Sequence, residues 1–268
     1  MTRGTENELF EARIDDLVTR AEERYEIAAG DFLSPGEAAR ARVHLRTLRT
    51  DAIPVFFGGY SGCERTRLVV LPSYMQPEET VDDDHFRRLF PELAEETVTA
   101  IRIRGSGFRK LSHRDYMGSV LGLGIERSVV GDIVTEGDFS ALVFCAPKIA
   151  AYILQELHKI GSDTVKTETV SISEDFRVER QFETVRDTVA SARLDCIVAA
   201  LAGLSREKAQ NAIRADEVEV DHLPESRVDH MVSAGSTVTV RHVGKFIIRS
   251  TEETTKKGRY RLVADKYI

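Results

Sequence analysis

The stretch that most restricts what this chain can fold into runs from Thr188 to Asp221, TVASARLDCIVAALAGLSREKAQNAIRADEVEVD. From Arg193 onward, apolar residues fall at Leu194, Ile197, Val198, Leu201 and Leu204, the i, i+3, i+4, i+7 spacing of a helix that buries one face. Gly203 and Leu204 interrupt it. Ser205 is placed to cap a second helix from Arg206 to about Ala215, with Ala209, Ala212 and Ile213 in one sector. After a turn at Ala215-Asp216-Glu217, the alternation Glu217-Val218-Glu219-Val220-Asp221 sets both valines on one side of a strand. The expected unit is two short helices folded against a hairpin.

This pattern resembles the S4 RNA-binding domain. The resemblance is carried by Arg193-Leu194-Asp195, by Ser205-Arg206-x-Lys208-Ala209, by Ile213 and by the strand Val218-x-Val220. Such a module places guanidinium and ammonium groups around a helix N-terminus, where unpaired N–H groups and the helix dipole already attract phosphate. Arg193 and Arg206 are the leading candidates for RNA contact, followed by Ser205, Lys208, Arg214, Arg241 and Lys245. One cation on a short exposed helix is ordinarily a solvated charge. The set at these spacings carries the reading.

Net charge runs against a general nucleic-acid binder, since 37 basic residues face 44 acidic ones for a formal charge of −7. The acidity is N-terminal. Residues 1–100 carry 12 basic and 20 acidic side chains, residues 101–180 carry 11 of each, and residues 181–268 carry 14 and 13. RNA affinity must then come from local clusters and be shape-selective and salt-sensitive. The start MTRGTENELFEARIDD has no apolar run, so neither a signal peptide nor an anchor is expected. The longest apolar stretch, Ala141 to Leu154, is broken by Pro147-Lys148 and is too short to span a bilayer. Cys63, Cys145 and Cys196 lie far apart, which suits reduced thiols in a cytoplasm and excludes a cysteine-based zinc motif.

The expected fold class is α+β in three parts and a tail. Residues 1–91 form an N-terminal unit. Glu6 to Ala29 reads as a helix with Phe10, Ile14, Leu17, Ala21 and Ala28 inside, and Ser34-Pro35-Gly36-Glu37 is a capping box that opens a second helix to about Leu48. Ile53 to Phe57 and Arg67 to Leu71 follow as paired strands about the Gly58-Gly59 turn. The run Asp82-Asp83-Asp84 reads as a solvated helix start, because adjacent carboxylates point in different directions and make a poor metal site.

Residues 92–175 read as β-α-β-β-α-β, the ferredoxin-like or RRM-like order: a strand at Val98–Arg104, a helix from Ser112 to Leu123, strands at Gly131–Val134 and Phe139–Cys145, a helix from Pro147 to His158, and a strand at Thr164–Ile172. The stacking aromatics of an RRM are not evident, and Arg102 and Arg104 stand in the central strand instead. His113-Arg114-Asp115 is not a kinase loop, since Val120 stands where its Asn is required. Ser112 and Asp115 fit a capping box. Gly118, Gly122 and Gly124 fall short of a dinucleotide fingerprint and read as close-packing positions of helix on sheet. The S4-like part is set at residues 186–250 and includes strands at Thr237–Arg241 and Phe246–Arg249. Residues 251–268 read as a basic C-terminal tail in which Lys256 and Lys257 are phosphate-facing candidates.

Taken together, the motifs resemble the YlmH family of bacterial S4-domain proteins. The residues are Phe57-Gly58-Gly59-Tyr60 with Glu64-Arg65; Leu111-Ser112-His113-Arg114-Asp115-Tyr116-Met117-Gly118, then Leu121-Gly122-Leu123-Gly124-Ile125-x-Arg127 and Gly131-Asp132-Ile133; Thr188-Val189-Ala190-Ser191-x-Arg193-Leu194-Asp195; Leu204-Ser205-Arg206; and Thr255-Lys256-Lys257-Gly258. Two departures are Ala192, where the family tends to have Leu, and Arg241-His242-Val243-Gly244-Lys245-Phe246 in place of a more glycine-rich loop. The resemblance implies a cytoplasmic, non-enzymatic monomer that binds rRNA and tRNA on the large ribosomal subunit without cofactor, metal or membrane. It also implies a role in ribosome-associated quality control, stabilising peptidyl-tRNA on obstructed large subunits. The rival readings are an RNA-modifying enzyme of pseudouridine-synthase type and a cell-division-linked scaffold. The first needs a hydroxyl and a glycine after Arg193-Leu194-Asp195, where Cys196 to Ala200 offer neither.

Overall fold

The computed structural model describes residues 3–76, 81, 85–253 and 258–268. The chain divides into two compact units, Met1–Val178 and Glu179–Ile268.

The first unit opens with α1 (Arg3–Glu23), β1 (Ala28–Leu33), α2 (Pro35–Leu45), β2 (Ile53–Phe57) and β3 (Thr66–Leu71). Helix α1 ends earlier than its apolar period suggests, because Tyr25 adopts a left-handed φ of 55° and the chain turns into β1. Ala28 is therefore a buried strand residue, not the last rung of a helix. The Ser34 capping box is present: Ser34 Oγ accepts from the Glu37 N–H at 3.3 Å, and Glu37 Oε2 accepts from the Ser34 N–H at 2.8 Å. Strand β3 lies between β1 and β2, antiparallel to both. Alternation sends Phe56, Leu68 and Val70 toward Ile14, Leu17 and Ala41 of the helices, and Val55, Phe57, Val69 and Leu71 to the opposite face.

That opposite face meets a second sheet. After α3 (Phe86–Leu89) and α4 (Pro91–Thr97) come β4 (Thr99–Arg104), α5 (His113–Gly122), β5 (Val130–Glu136), β6 (Ser140–Cys145), α6 (Pro147–Glu156), the short pair β7 (Lys159–Ile160) and β8 (Asp163–Thr164), and β9 (Lys166–Val170). The antiparallel order is β5-β6-β4-β9. Ile101, Ile103, Val143 and Cys145 pack with Tyr116, Val120 and Ile153 of α5 and α6, while Ala100, Leu142 and Phe144 pack with Phe32, Val55, Phe57 and Phe86. Phe86 and Phe144 have no exposed surface, and burial of each such side chain contributes roughly 1.5–3 kcal/mol. Gly118, Gly122 and Gly124 do not mark close packing: a Cβ at any of them meets nothing within 4 Å. Close approaches occur elsewhere, among them Gly58, where a Cβ would run into Arg65 O, and Gly59 and Gly131, where it would lie 2.5 Å from the Phe144 ring and 2.6 Å from the Phe32 ring. The Asp82-Asp83-Asp84 run lies outside the described residues.

The second unit comprises β10 (Phe182–Val189), α7 (Leu194–Ala202), α8 (Arg206–Arg214), β11 (Val218–Val220), β12 (Leu223–Pro224), β13 (Thr237–Val240), β14 (Gly244–Glu253) and β15 (Tyr260–Tyr267). These strands form one antiparallel sheet in the order β10-β15-β14-β13-β11-β12. Residues 260–267, which the sequence assigns to a tail, form β15 between β10 and β14. Leu194, Ile197, Val198, Ala209 and Ile213 of the helices bury against Val218, Val238, Phe246, Ile248 and Leu262 of the sheet. Gly203, at φ 62°, ends α7 in the left-handed conformation that Gly adopts at least cost. In the β13–β14 turn the positive φ falls on His242, at 65°, so Val243 is spared the conformation it tolerates poorly.

Candidate nucleic-acid interface

Asp195 organises the helix pair. It sits in the first turn of α7, where a carboxylate is favoured by the helix dipole, and none of its surface is exposed. Arg193, the residue preceding the helix, spans both carboxylate oxygens, with Nε 3.2 Å from Oδ1 and Nη2 3.3 Å from Oδ2. From α8, Arg206 Nε donates to Oδ2 at 3.0 Å and Gln210 Nε2 donates to it at 2.8 Å. Burial alone would raise the Asp195 pKa. The hydrogen bonds from Arg193, Gln210 and Arg206 more than reverse that and hold it well below the usual carboxylate range. The same pairing raises Arg193. Both cations keep open surface, 35% of the Arg193 side chain and 56% of the Arg206 side chain. The Arg193–Asp195–Arg206 triad by itself carries one net positive charge, held in place by an anion that solvent does not reach, and the Asp229 carboxylate also acts on Arg193.

The other expected residues are not all gathered here. Arg206, Gln210 and Arg214 follow i, i+4, i+8 and share one stripe of α8, whereas Lys208 projects from the other flank of the helix. Ser205 is the N-cap of α8, its Oγ accepting from the Lys208 N–H at 3.3 Å. Arg241 lies in the β13–β14 turn and its N–H donates to Glu217 O at 2.9 Å. Lys245 stands on the far side of the sheet from the helices, with Nζ 4.6 Å from the centre of the Tyr267 ring. Lys256 and Lys257 lie outside the described residues. Gln210 is a member of the cluster that the sequence reading missed, and its i+4 relation to Arg206 was the available signal.

In the first unit the family-like motifs serve as joints between sheets. The Asp132 carboxylate accepts from Tyr60 Oη at 2.7 Å, from the Glu64 N–H at 2.7 Å and from the Arg65 N–H at 3.0 Å. Arg65 donates to Val130 O, Phe32 O and Arg127 O, and Arg127 donates to Val130 O and Gly131 O. Burial, with Arg65 nearby, brings the Arg127 pKa down to about 10. Arg102 and Arg104 do share a face, but they are paired with carboxylates: Arg102 with Glu136 at 3.0 Å and Arg104 with Glu168 at 3.2 Å. The neighbouring part of that face, at Ala100 and Phe144, is covered by the first sheet. An RRM-like platform on this sheet is thus partly occupied from within.

These features define a mixed α/β protein of antiparallel sheets that displays a basic cluster on a two-helix unit. Comparison with known proteins narrows the class. The family model described as YlmH, N-terminal, matches residues 6–75, and that described as a putative RNA-binding domain in YlmH matches residues 91–174, between them more than half of the chain. The chain belongs to the YlmH family. It is 27% identical over 247 residues to the ribosome-associated protein quality control protein P2 of Bacillus subtilis (strain 168), covering 91% of this chain and 89% of that protein. The solved cell division protein ylmH from Streptococcus pneumoniae is similar at 20% identity and a TM-score of 0.49, over 64% of this chain and 95% of that one.

Proposed function

We propose that this chain is a non-enzymatic RNA-binding protein that engages rRNA and tRNA on the large ribosomal subunit through the α7–α8 cluster. In this reading the second unit is an S4 domain, the β4–β9 sheet is a ferredoxin-like domain, and the protein works as a cytoplasmic monomer in ribosome-associated quality control, stabilising peptidyl-tRNA on obstructed large subunits. The observation that carries it is the convergence of Arg193 and Arg206 on buried Asp195. Two guanidiniums fixed side by side present forked donors at a set spacing, the arrangement that suits phosphate oxygens better than lysines would. The description of the matched central domain and the name of the Bacillus relative support the RNA and ribosome assignments. Against the pseudouridine-synthase alternative stands Asp195 itself. A carboxylate with no exposed surface and three donors on it cannot reach a nucleobase.

Sucrose-gradient sedimentation of cell extract, with and without ribonuclease, tests the proposal. The protein is expected to travel with large subunits and to return to the top of the gradient after ribonuclease treatment. An Arg206→Ala, Arg214→Ala double variant is expected to lose most of that association. Equal co-sedimentation of variant and wild type would overturn the site, and association that survives ribonuclease would favour a protein scaffold.

A further inference from the structure

The second unit has another surface, which neither the helix cluster nor the family description uses. Helices α7 and α8 cover the sheet face that carries Val238, Phe246, Ile248 and Leu262. Strand alternation places Phe182 and Arg186 of β10, Lys245 and Arg249 of β14, and Arg261 and Tyr267 of β15 on the opposite face. Phe182 and Tyr267 are cross-strand partners with ring centroids 4.9 Å apart and planes at 67°. Lys245 Nζ lies 4.6 Å from the centre of the Tyr267 ring, and the Arg249 guanidinium carbon lies 5.8 Å from that of Phe182. Arg186 and Arg261 are exposed. Against these four cations the same part of the face sets two carboxylates. Asp265 accepts from Arg249 at 2.7 Å and from Thr184 Oγ1 at 2.9 Å, and Glu252 stands opposite Arg261 in the register.

We propose that this open sheet face is a second RNA-binding surface, which takes an unpaired RNA segment with bases stacked on the Phe182–Tyr267 pair and phosphates on the four cations. The proposal rests on the RNA-binding reading of the protein but not on the α7–α8 cluster. Its occupant follows from charge and shape. An excess of cations in a chain of net charge −7 selects a polyanion, and aromatic rings set among the cations on a pleated face add a partner for nucleobases. Stacking of a base on a ring is worth more than an exposed cation–π contact that it displaces, and the cations around the rings, Lys245 and Arg180 at Tyr267 and the Asp265-paired Arg249 at Phe182, stay beside the stacked base within reach of its phosphates. A protein partner would be better served by a contiguous apolar patch, which the alternation of Arg186, Arg249 and Arg261 with smaller residues breaks up.

Fluorescence anisotropy of the full chain with fluorescein-labelled dodecauridylate, beside competition by inorganic polyphosphate, tests this. An Arg186→Glu, Arg261→Glu variant changes only exposed side chains and is expected to weaken both ligands by about tenfold or more at low salt. A Phe182→Leu, Tyr267→Leu variant is expected to weaken dodecauridylate by about tenfold and leave polyphosphate unchanged. The proposal fails if the charge-reversed variant binds dodecauridylate like wild type, if wild type does not bind it, or if the ring variant weakens both ligands alike, which marks a charge patch with no base contact. Large-subunit sedimentation of the Arg206→Ala, Arg214→Ala variant is read separately. Its loss with dodecauridylate binding intact supports two surfaces, and wild-type sedimentation that fails while ring-dependent dodecauridylate binding persists overturns the proposed function and leaves this face standing.

Discussion

Arg206 reaches back across eleven residues of sequence to place its Nε 3.0 Å from the Oδ2 of Asp195, a carboxylate with no exposed surface. The contact ties the N-terminus of α8 to that of α7 and brings Arg206 beside Arg193. Two cations so close repel each other. The anion between them offsets that repulsion and fixes their separation, so Asp195 acts as a positioning residue for groups that themselves remain half open to solvent.

Replacing Asp195 by Ala separates charge from position. The substitution raises the net charge of the cluster, which by itself strengthens attraction to RNA. It also removes the acceptor of Arg193, Arg206 and Gln210. The expected outcome is weaker large-subunit association despite the added charge, with stability lower by about 1–3 kcal/mol in urea melts. Stronger association in the gradient would mean that the spacing of the guanidiniums does not matter.

Acid should destabilise the second unit in a defined window. Hydrogen bonds from Arg227 bring Glu225 down to about 2 from an ordinary value of 4.5, and Asp195 lies below its ordinary 3.8. A carboxylate with a depressed folded-state pKa contributes stability that is fully present above its unfolded value and is lost as pH falls toward the folded one. Urea midpoints should therefore be level above pH 4.5 with respect to Glu225 and decline as the pH falls from there toward 2. In Glu225→Gln the decline should be shallower. An identical slope in variant and wild type would show that this carboxylate is not coupled to folding.

How far the sequence led can be judged from particular residues. The capping boxes at Ser34 and Ser112 and the paired burial of Val218 and Val220 were legible because each is fixed within one helical turn or one strand. The extension of the first helix through Ala28 was not, since Ala28 is apolar and in phase with the helix while the break comes from the backbone at Tyr25. Nor was β15, whose partners Phe182 to Val189 lie some eighty residues earlier; Arg180 and Tyr267, bonded at this edge, are 87 residues apart. A local pattern of cations with few apolar residues looks like a tail until its neighbours are known. The same limit applies to the site: Arg193 and Arg206 were readable as a motif, but the motif does not say that they share one buried anion, or that Lys245 faces away from them.

Ser205 provides a test of assignment. It was a candidate for RNA contact, yet its hydroxyl accepts the Lys208 N–H and caps α8. Ser205→Ala is expected to cost about 1 kcal/mol of stability, and Ser205→Asp, which can cap equally well, close to none. If the hydroxyl instead served RNA, Ser205→Ala would weaken large-subunit association at temperatures where the variant stays fully folded, whereas a cap alone leaves that association unchanged.

Two glycines from one motif run should respond in opposite directions to the same substitution. Gly118 lies inside α5, exposed, with nothing within 4 Å of where a Cβ would stand. Gly118→Ala removes the backbone-entropy cost of glycine in a helix and is expected to raise stability by about 0.5–1 kcal/mol. Gly131 begins beside the Phe32 ring, 2.6 Å from the position of a Cβ, in the seam that Arg65 and Arg127 tie together. Gly131→Ala forces that ring aside and is expected to cost about 1–3 kcal/mol. Because the clash is with one side chain, Phe32→Leu should absorb part of it. The double variant would then be more stable than the sum of the two single losses predicts, and a strictly additive cycle would place the strain in the backbone rather than in the ring.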